Sequence, residues 1–282
     1  MKKIAIIANE KKDEQYRLTK EVIVYLHGKS CVCYSSEKIT GLSFGIPELL
    51  DCESIKDCDL ILVIGGDGTM LHAIFEYAKY NIPFIGINIG RIGFLADLSP
   101  VTYRDCMDRI LDGDYVVDNR STVCLKGKEI NYGYALNEVM FRHRQGSGVG
   151  SFRVTIDQTF LSTYIGDGVL IAAPTGSTAY AFSLGGPIVK PSCDISIIQP
   201  LSPHSLNNRS VIVDSRETIS VDFNSEDSVV YIDGMQIETN ENHLTVEKGD
   251  QIVQFVRTKQ YNFYSLLFEK LIQENLLRGE KE

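Results

Sequence analysis

The first third of the chain alternates short apolar segments with amphipathic ones. KKIAIIAN, CDLILVIGG and PFIGINIG are nearly continuous apolar runs, which are typical of parallel strands buried on both faces. Between them, DEQYRLTKEVIVYLHGK has helical character, and one side of a further helix carries Met70, Leu71, Ile74, Phe75 and Ala78. Strand, helix and strand in this order predict an open parallel α/β sheet with right-handed crossovers.

The texture changes after Gly113, where the helical segment PVTYRDCMDRILDGD ends. Short β-branched segments follow, punctuated by Gly, Asn and Asp: VTIDQTFLSTY, ETISVDFN, DSVVYIDG, HLTVEKGD and QIVQFVRT. Such segments predict an all-β, sandwich-like domain of antiparallel strands. The last segment, YSLLFEKLIQENLLRGEKE, returns to helical spacing, and we expect this C-terminal helix to return to the first domain.

These changes divide the chain into two domains. We assign residues 1–113 to the α/β domain, with residues 259–282 packing back on it, and residues 114–258 to the β-rich domain. A length of 282 residues exceeds a typical single domain of about 100 to 200 residues. No repeat, proline-rich linker or low-complexity tract is evident in the sequence, so we expect a firm interface between the domains.

Charge and the lengths of the apolar runs exclude several classes of protein. The chain has 28 basic and 37 acidic residues, a formal charge of -9, so no broad positive field would attract nucleic acid or an anionic membrane. The apolar run from Ile4 to Ala8 is too short for a signal peptide. No other apolar run approaches the roughly 18 residues of a membrane-spanning helix. We therefore expect a soluble, cytoplasmic protein that binds neither nucleic acid nor membranes.

The seven cysteines form an odd set without a CxxC pair. This argues against a disulfide framework and against a zinc knuckle. We expect reduced residues that serve packing.

The segment VIGGDGTML places an acid among glycines where an apolar strand ends. We expect a strand over 61–64 and a helix over 70–80, joined through Gly65 to Thr69 at the carboxyl edge of the sheet, where open α/β sheets bind ligands. The glycines lack Cβ atoms, so backbone N–H groups can approach an anion at the positive end of the helix. The turn therefore suits phosphate.

Asp67 within this turn has two interpretations. It can cap the following helix while the glycines form a tight turn. Alternatively it acts in phosphoryl transfer, because a carboxylate beside a bound phosphate is repelled by on the order of a kcal/mol. That repulsion becomes useful if Mg²⁺ bridges the two groups, or if the carboxylate removes a proton from an attacking hydroxyl group. The turn is not a Walker A loop, because no Lys-Ser or Lys-Thr follows its last glycine.

Four motifs together resemble the NAD kinase family. GGDGT at 65–69 is similar to the phosphate-site motif of NAD kinases, diacylglycerol kinases, sphingosine kinases and, in shorter form, phosphofructokinases. LNEV at 136–139, GDGVLIAAPTGSTAYAFSLGGPIV at 166–189 and PLSPHSLNNRSVIV at 200–213 narrow the resemblance to NAD kinases. Their order and spacing match across nearly the whole chain, which resembles the ATP- or polyphosphate-dependent NAD kinases of bacteria.

The resemblance implies that the γ-phosphoryl group of ATP is transferred to the 2′-hydroxyl group of the adenosine ribose of NAD, which gives NADP. It also implies Mg²⁺ as the cation that neutralises the phosphates, and a homotetramer or homodimer. Asp67 would be the catalytic base, and the amides around Gly66 and Gly68, with Thr69, would cradle phosphate. Both substrates must then meet at Asp67, so we expect the site in the cleft between the domains. Whether polyphosphate replaces ATP stays open.

The resemblance further implies that the β-rich domain, residues 114–258, binds NAD. It also implies a set of nucleotide-binding residues and assigns no metal ligand. The set comprises Gly65, Gly66, Gly68, Thr69, Asn88, Phe94, Asn137, Glu138, Asp167, Thr178, Ala179, Tyr180, Ser183 and His204. The asparagine and glutamate of LNEV would hold a ribose, the TAY segment and the serine after it would form the adenine and ribose pocket, and the histidine would lie near the nicotinamide end. The phenylalanine would stack on adenine.

Simpler structural roles are open to several of these residues. Glu138 can belong to a solvated strand face, Asp167 to a hairpin turn, and Phe94 to the core. Thr175 or Ser177 can cap a helix that begins in PTGSTAY.

One segment departs from the family. Members often carry an Asp-Gly-Gln or Asp-Gly-Arg turn late in the β domain, whereas YIDGMQIE places Met235 after the glycine. We therefore assign Gln236 no role.

Two other functions stay open. A lipid kinase would use the same glycine turn but needs a large apolar pocket or a membrane-facing amphipathic patch, and the sequence shows neither. A non-catalytic sensor would bind NAD or NADP without consuming ATP, but binding alone gains little from the charge of Asp67.

Overall fold

A computed structural model describes residues 2–35, 55–90, 93–96, 98–144, 148–204 and 209–279, and only the backbone of residues 272–279. Every predicted site residue lies within these ranges. Cys52, part of the motif at 200–213 and the end of the C-terminal segment lie outside the described residues.

The described chain alternates strands and helices before residue 115 and consists mainly of strands after it. In chain order the strands are β1 (Lys3–Ala8), β2 (Val32–Ser35), β3 (Leu60–Gly65), β4 (Phe84–Asn88), β5 (Tyr115–Arg120), β6 (Val123–Lys126), β7 (Asn131–Ala135), β8 (Glu138–His143), β9 (Gly150–Ile156), β10 (Thr159–Gly166), β11 (Gly168–Ala172), β12 (Ile195–Leu201), β13 (Val211–Asp214), β14 (Ile219–Asp222), β15 (Ser228–Ile232), β16 (Met235–Ile237), β17 (His243–Lys248) and β18 (Val253–Thr258). The α-helices are α1 (Arg17–Gly28), α2 (Asp67–Tyr77), α3 (Tyr103–Leu111), α4 (Tyr180–Ser183) and α5 (Phe263–Gly279).

The first compact unit comprises residues 1–118 and 253–282. Its six-stranded sheet has the order β2-β1-β3-β4-β18-β5, and the strands from β2 to β18 in this order are parallel. Every residue of β3 and β4 is buried, as their continuous apolar runs predict. The predicted α/β class is confirmed.

Helices α1 and α5 both pack within this unit. Helix α1 buries Val22, Ile23 and Leu26, which join the strand residues of the sheet in one apolar core. The C-terminal helix α5 belongs to the same unit, where the ring of Phe263 lies 6.4 Å from that of Phe94, centroid to centroid. Its predicted return to the first domain is therefore confirmed.

Strand β18 differs from the sequence expectation. The sequence predicts that its segment, QIVQFVRT, belongs to the antiparallel domain, but it lies in the parallel sheet beside β4, with Phe255 opposite Phe84. The composition of a short β-branched segment predicts a strand but not which sheet the strand joins. The unit boundaries, after residues 118 and 252, accordingly differ from the expected ones at 113 and 258.

The second compact unit comprises residues 119–252. Its two six-stranded sheets have the orders β10-β9-β14-β17-β6-β7 and β13-β12-β11-β8-β15-β16, and neighbouring strands in both are antiparallel. Apolar residues of both sheets, such as Phe152 and Ile171, share one buried cluster. This is the predicted sandwich.

Most described cysteines are buried, and none of those described forms a disulfide. Burial raises the pKa of the Cys33 thiol to about 12 and that of the Cys58 thiol to about 11. Cys193 is exposed and so does not serve packing. Among the described helices, none has the length and apolar character needed to span a bilayer.

Candidate functional site

The glycine turn is shorter than the sequence predicts. Strand β3 ends at Gly65 and helix α2 begins at Asp67, three residues before the expected start, so Gly66 alone connects them. The amides of Thr69 and Met70 donate to the Gly66 carbonyl oxygen at 2.9 and 3.0 Å. Because the first amides of a helix have no partner within it, the Asp67 and Gly68 N–H groups can face an anion.

Thr69 closes this turn. A Cβ atom on Gly65 would lie 2.4 Å from Thr69 Oγ1, so only glycine fits there. Oγ1 also accepts a hydrogen bond from Asn9 Nδ2 at 3.1 Å. The hydroxyl of Thr69 is thereby held against the backbone of the turn.

The Asp67 carboxylate binds a second glycine-rich segment. Oδ2 accepts the amide hydrogen of Phe94 at 2.8 Å, and Oδ1 accepts those of Leu95 and Ala96 at 3.1 and 3.2 Å. A Cβ atom on Gly93 would lie 1.9 Å from Asp67 Oδ1, which explains a glycine at that position. The carboxylate therefore does not cap its own helix, and neither sequence interpretation foresaw this contact.

Arg257, which the sequence does not predict as a site residue, binds the same segment from its carbonyl side. Its side chain is buried in the first unit, where Nη1 donates to the Leu95 carbonyl oxygen at 3.1 Å and Nη2 to that of Phe94 at 3.5 Å. The Asp118 carboxylate lies 3.7 Å from Nε. The peptide groups after Gly93 are thus fixed by a carboxylate on one side and a guanidinium on the other. An arginine at the end of an apolar strand was the available signal.

Lys12 is a second residue near the turn that the sequence does not predict. A Cβ atom on Gly66 would lie 2.3 Å from Lys12 Nζ and 3.4 Å from Asn88 Oδ1, so both side chains lie against the bare backbone of Gly66. Asn88 is buried at the end of β4, whereas Lys12 is exposed. A cavity of 680 Å³ opens beside Lys12, and its lining includes both basic side chains, Arg17 and Lys20, and acidic ones, Asp13, Glu14 and Glu21. The turn thus has a cation within reach that lies 54 residues earlier in sequence, counting from 12 to 66.

Phe94 is half-buried rather than a core residue. Besides Phe263, its ring contacts the side chain of Lys270, whose Nζ lies 4.0 Å from the ring centroid. The ring therefore rests on the C-terminal helix with part of its surface open.

In the second unit, Asn137 and Glu138 lie where β8 begins. The amides of Leu136, Asn137 and Glu138 donate to the Asp233 carboxylate at 2.7, 2.8 and 3.0 Å. On the other side, the Asn137 carbonyl oxygen accepts the amide hydrogen of Ala173 at 2.8 Å. The backbone of this pair is therefore held from both sides.

Glu138 does not lie on a solvated strand face. Its Oε2 is buried and has no hydrogen-bond partner among the described residues. Burial, and secondarily the charge of Asp233, raises the pKa of Glu138 to about 8. Burial also raises the pKa of Asp233, against the three amides that lower it. A carboxyl group kept neutral in this way can donate a hydrogen bond.

The TAY segment lies beside this pair. A Cβ atom on Gly176 would lie 2.1 Å from the Asn137 carbonyl oxygen, so the backbone from 175 to 178, a 3₁₀ turn, packs directly against it. Ser177 is buried and bonds both backbone groups of Val189, and α4 has no side-chain cap bond. The capping alternative for Thr175 or Ser177 is therefore wrong.

The predicted pocket residues after this turn are accessible. Thr178 and Ala179 are half-buried, and Tyr180 and Ser183 are exposed. They lie at the end of the 3₁₀ turn that packs against Asn137, or directly after it in sequence.

Asp167 and His204 lie close together in the second unit. Asp167 connects β10 and β11, which belong to different sheets, so it is not in a hairpin turn. The His204 amide donates to the carbonyl oxygen of Ile165 at 2.8 Å, and the Asp167 amide to that of Leu201 at 3.0 Å. Both side chains are exposed. Asp167 lies at the start of β11, whereas Thr178 and Tyr180 lie beyond its end.

Comparisons with known proteins show what the whole chain is similar to. Profiles of the ATP-NAD kinase N-terminal and C-terminal domains match residues 4–115 and 136–258. The chain is 33% identical over 291 residues to an NAD kinase of Lachnoclostridium phytofermentans, covering 96% of this chain and 99% of that protein.

Solved structures share the fold. The yeast NADH kinase complexed with NADH superposes with a TM-score of 0.83 at 21% identity, covering 96% of this chain and 87% of that one. An NAD kinase from Archaeoglobus fulgidus in complex with ATP gives 0.79 at 23% identity, with coverages of 95% and 98%.

Proposed function

This chain belongs to the NAD kinase family, and we propose that it transfers the γ-phosphoryl group of ATP to the 2′-hydroxyl group of the adenosine ribose of NAD, which makes NADP. The observation that carries the proposal is the match of both family domains, in order, to one chain that retains the GGDGT turn. The 2′-oxygen attacks the γ-phosphorus, its proton passes to a carboxylate, and the bond to the β–γ bridging oxygen breaks to release ADP.

In the first unit, the glycine turn binds the phosphates of the donor. The N–H groups of Asp67 and Gly68 supply hydrogen bonds at the positive end of α2. The ammonium group of Lys12, beside Gly66, supplies a positive charge that phosphate oxygens favour.

Asp67 is the base in this proposal. Its Oδ2 accepts one amide hydrogen, and a carboxylate oxygen has a second acceptor position, which is available to the hydroxyl proton. The three amides that hold the carboxylate fix its direction, and a fixed direction is what proton transfer to a positioned group requires.

Mg²⁺ would neutralise charge on the transferred phosphoryl group. The described residues contain no group of three or more His, Cys, Asp or Glu side chains that could hold a metal. Mg²⁺ in phosphoryl-transfer enzymes is commonly held by one or two carboxylates together with substrate phosphates, so a cluster of three protein ligands is not required. We assign Mg²⁺ to the substrate phosphates and name no protein ligand for it.

In the second unit, Asn137 and Glu138 hold a ribose of NAD, and Tyr180 with its neighbours lines the nucleoside pocket. What supports this assignment is the contact between the Asn137 backbone and the 3₁₀ turn that precedes Tyr180. Asp167 and His204, at the other end of β11, bind a more distant part of the dinucleotide. By resemblance we also propose that the protein is cytoplasmic and forms a homotetramer or homodimer. Light scattering on the purified protein tests the oligomeric state.

The experiment is a coupled assay of NADP formation from NAD with ATP or polyphosphate, with and without Mg²⁺. Asp67→Asn should lower kcat by about 100-fold or more, since a general base typically contributes 10² to 10⁴, while the Kd for NAD stays within about threefold. Asp112→Asn, at an exposed position after α3, is the control for loss of a carboxylate. Near-normal turnover in Asp67→Asn refutes the base assignment, and a wild-type protein that makes no NADP refutes the proposed function.

A further inference from the structure

The Asp-Gly turn between β15 and β16 is built around the backbone of the Asn137–Glu138 pair. The Asp233 carboxylate accepts three successive amides, those of residues 136, 137 and 138. In return, the Asp233 amide donates to the Glu138 carbonyl oxygen at 3.0 Å. Four hydrogen bonds therefore join one aspartate to three consecutive residues.

The backbone of this turn is specialised for the task. Asp233 has a φ of 46° and Gly234 a φ of 82°, both in the left-handed region that side chains other than Asn and Asp rarely adopt. Here the conformation turns the Asp233 carboxylate back toward the start of β8, so its position is set by local backbone geometry.

Only a carboxylate satisfies this arrangement. Three backbone N–H groups converge on the two oxygens of the side chain. An ionised aspartate accepts hydrogen bonds at both oxygens and donates none. An asparagine would present an NH₂ group to at least one donor. Desolvating a carboxylate costs free energy, and here the same group also lies beside Glu138, whose ionised form it disfavours.

We propose that Asp233 is a positioning residue for dinucleotide binding, which fixes the direction in which the Asn137 and Glu138 side chains leave the backbone. The inference rests on the proposed function, because the ribose of NAD is the group that the pair would hold. Asp233 acts on one side of the pair, and Ala173 with Gly176 acts on the carbonyl side of Asn137. With both supports in place, the buried Oε2 of Glu138, which has no partner among the described residues, is held ready for a ribose hydroxyl group.

The test compares Asp233→Asn with Asp227→Asn. Asp227 lies directly before β15, whereas Asp233 lies directly after it. The Asp227 carboxylate bonds to Asn224 and Ser228 and not to residues 136–138. In Asp233→Asn the KM for NAD should rise about fivefold or more at saturating ATP, while the KM for ATP stays within about twofold. Hydrogen exchange in peptides that cover 136–138 should accelerate in Asp233→Asn only.

A second variant covers the case in which Asp233→Asn does not fold. Gly234→Ala keeps the carboxylate but strains the turn that carries it, and it should produce the same split between the two KM values to a smaller extent. A folded Asp233→Asn whose KM for NAD stays within about twofold of the wild type, or in which both KM values rise together, overturns the proposal.

Isothermal titration of NAD separates this inference from the proposed function. If the wild type makes no NADP but binds NAD, and Asp233→Asn weakens that binding by about fivefold, the kinase activity is refuted and the positioning role stands. If the wild type makes NADP and Asp233→Asn binds NAD as tightly, the positioning role is refuted and the kinase activity stands.

Discussion

The carboxyl group of Glu138 has one oxygen, Oε2, that is buried from water. Its pKa is raised to about 8, chiefly by burial and then by Asp233. In the folded protein the group therefore keeps its proton at neutral pH, whereas in the unfolded chain it releases it near its ordinary value of 4.5. Folding is thus coupled to proton binding at this residue.

The sign of this coupling predicts the pH dependence of stability. Because the pKa is raised on folding, the contribution is complete below pH 4.5 and is lost as the pH rises to about 8. Glu138→Gln lacks this loss, so its free energy of unfolding should match the wild type at low pH and exceed it at pH 8 by on the order of 1 to 3 kcal/mol. Urea unfolding at several pH values measures the difference, with the exposed Glu238→Gln as control. Equal slopes in the wild type and Glu138→Gln would show that Glu138 is ionised in the folded protein.

The two glycine-rich segments of the first unit depend on one another. Asp67, in the first turn of α2, accepts the amides of residues 94–96, and Arg257 of β18 binds two carbonyl oxygens of the same stretch. The close approach of Asp67 is possible because Gly93 has no side chain.

Gly93→Ala should therefore impair catalysis. The added methyl group would occupy a position 1.9 Å from Asp67 Oδ1, so the carboxylate or the segment must move. We expect kcat to fall about tenfold or more and the free energy of unfolding to fall by about 1 to 3 kcal/mol. NADP formation and urea unfolding measure these changes. Gly28→Ala, where the added atom meets nothing within 4 Å, is the control, and normal kcat in Gly93→Ala would contradict the coupling.

Much of the first sheet could be predicted because strands covered on both faces must be apolar throughout. Strands β3 and β4 are buried at every position, and β1 is buried at its centre, from Ile4 to Ile6. Strand β18 could not be placed, because the partner of a strand is decided by residues far away in sequence, here Phe84.

The site shows the same division. The sequence contains the residues of the glycine turn, but not the partners of Asp67, which lie 27 to 29 residues further along the chain. Asp233 was likewise hidden, since an isolated Asp-Gly turn gives no indication of which amides its carboxylate reaches.

The thiols of the chain differ in reactivity according to their burial. Cys33 and Cys58 are buried with raised pKa values, so little reactive thiolate forms at neutral pH. Cys193 is exposed.

A disulfide reagent such as DTNB should therefore label Cys193 well before Cys33 and Cys58. In Cys193→Ser the fast phase should lose one thiol equivalent, and denaturant should release six, one fewer than the seven of the wild type. An unchanged fast phase would place Cys193 in the interior.

Strand β18 lies between β4 and β5 in the first sheet, although nearly the whole second unit separates it from them along the chain. During synthesis, the ribosome delivers β4 and β5 long before the strand that joins them. Until that strand emerges, both neighbours present unpaired backbone edges, which are templates for aggregation. The second unit is complete by then and can fold first. We therefore expect the nascent chain to depend on a chaperone until β18 has paired with β4 and β5.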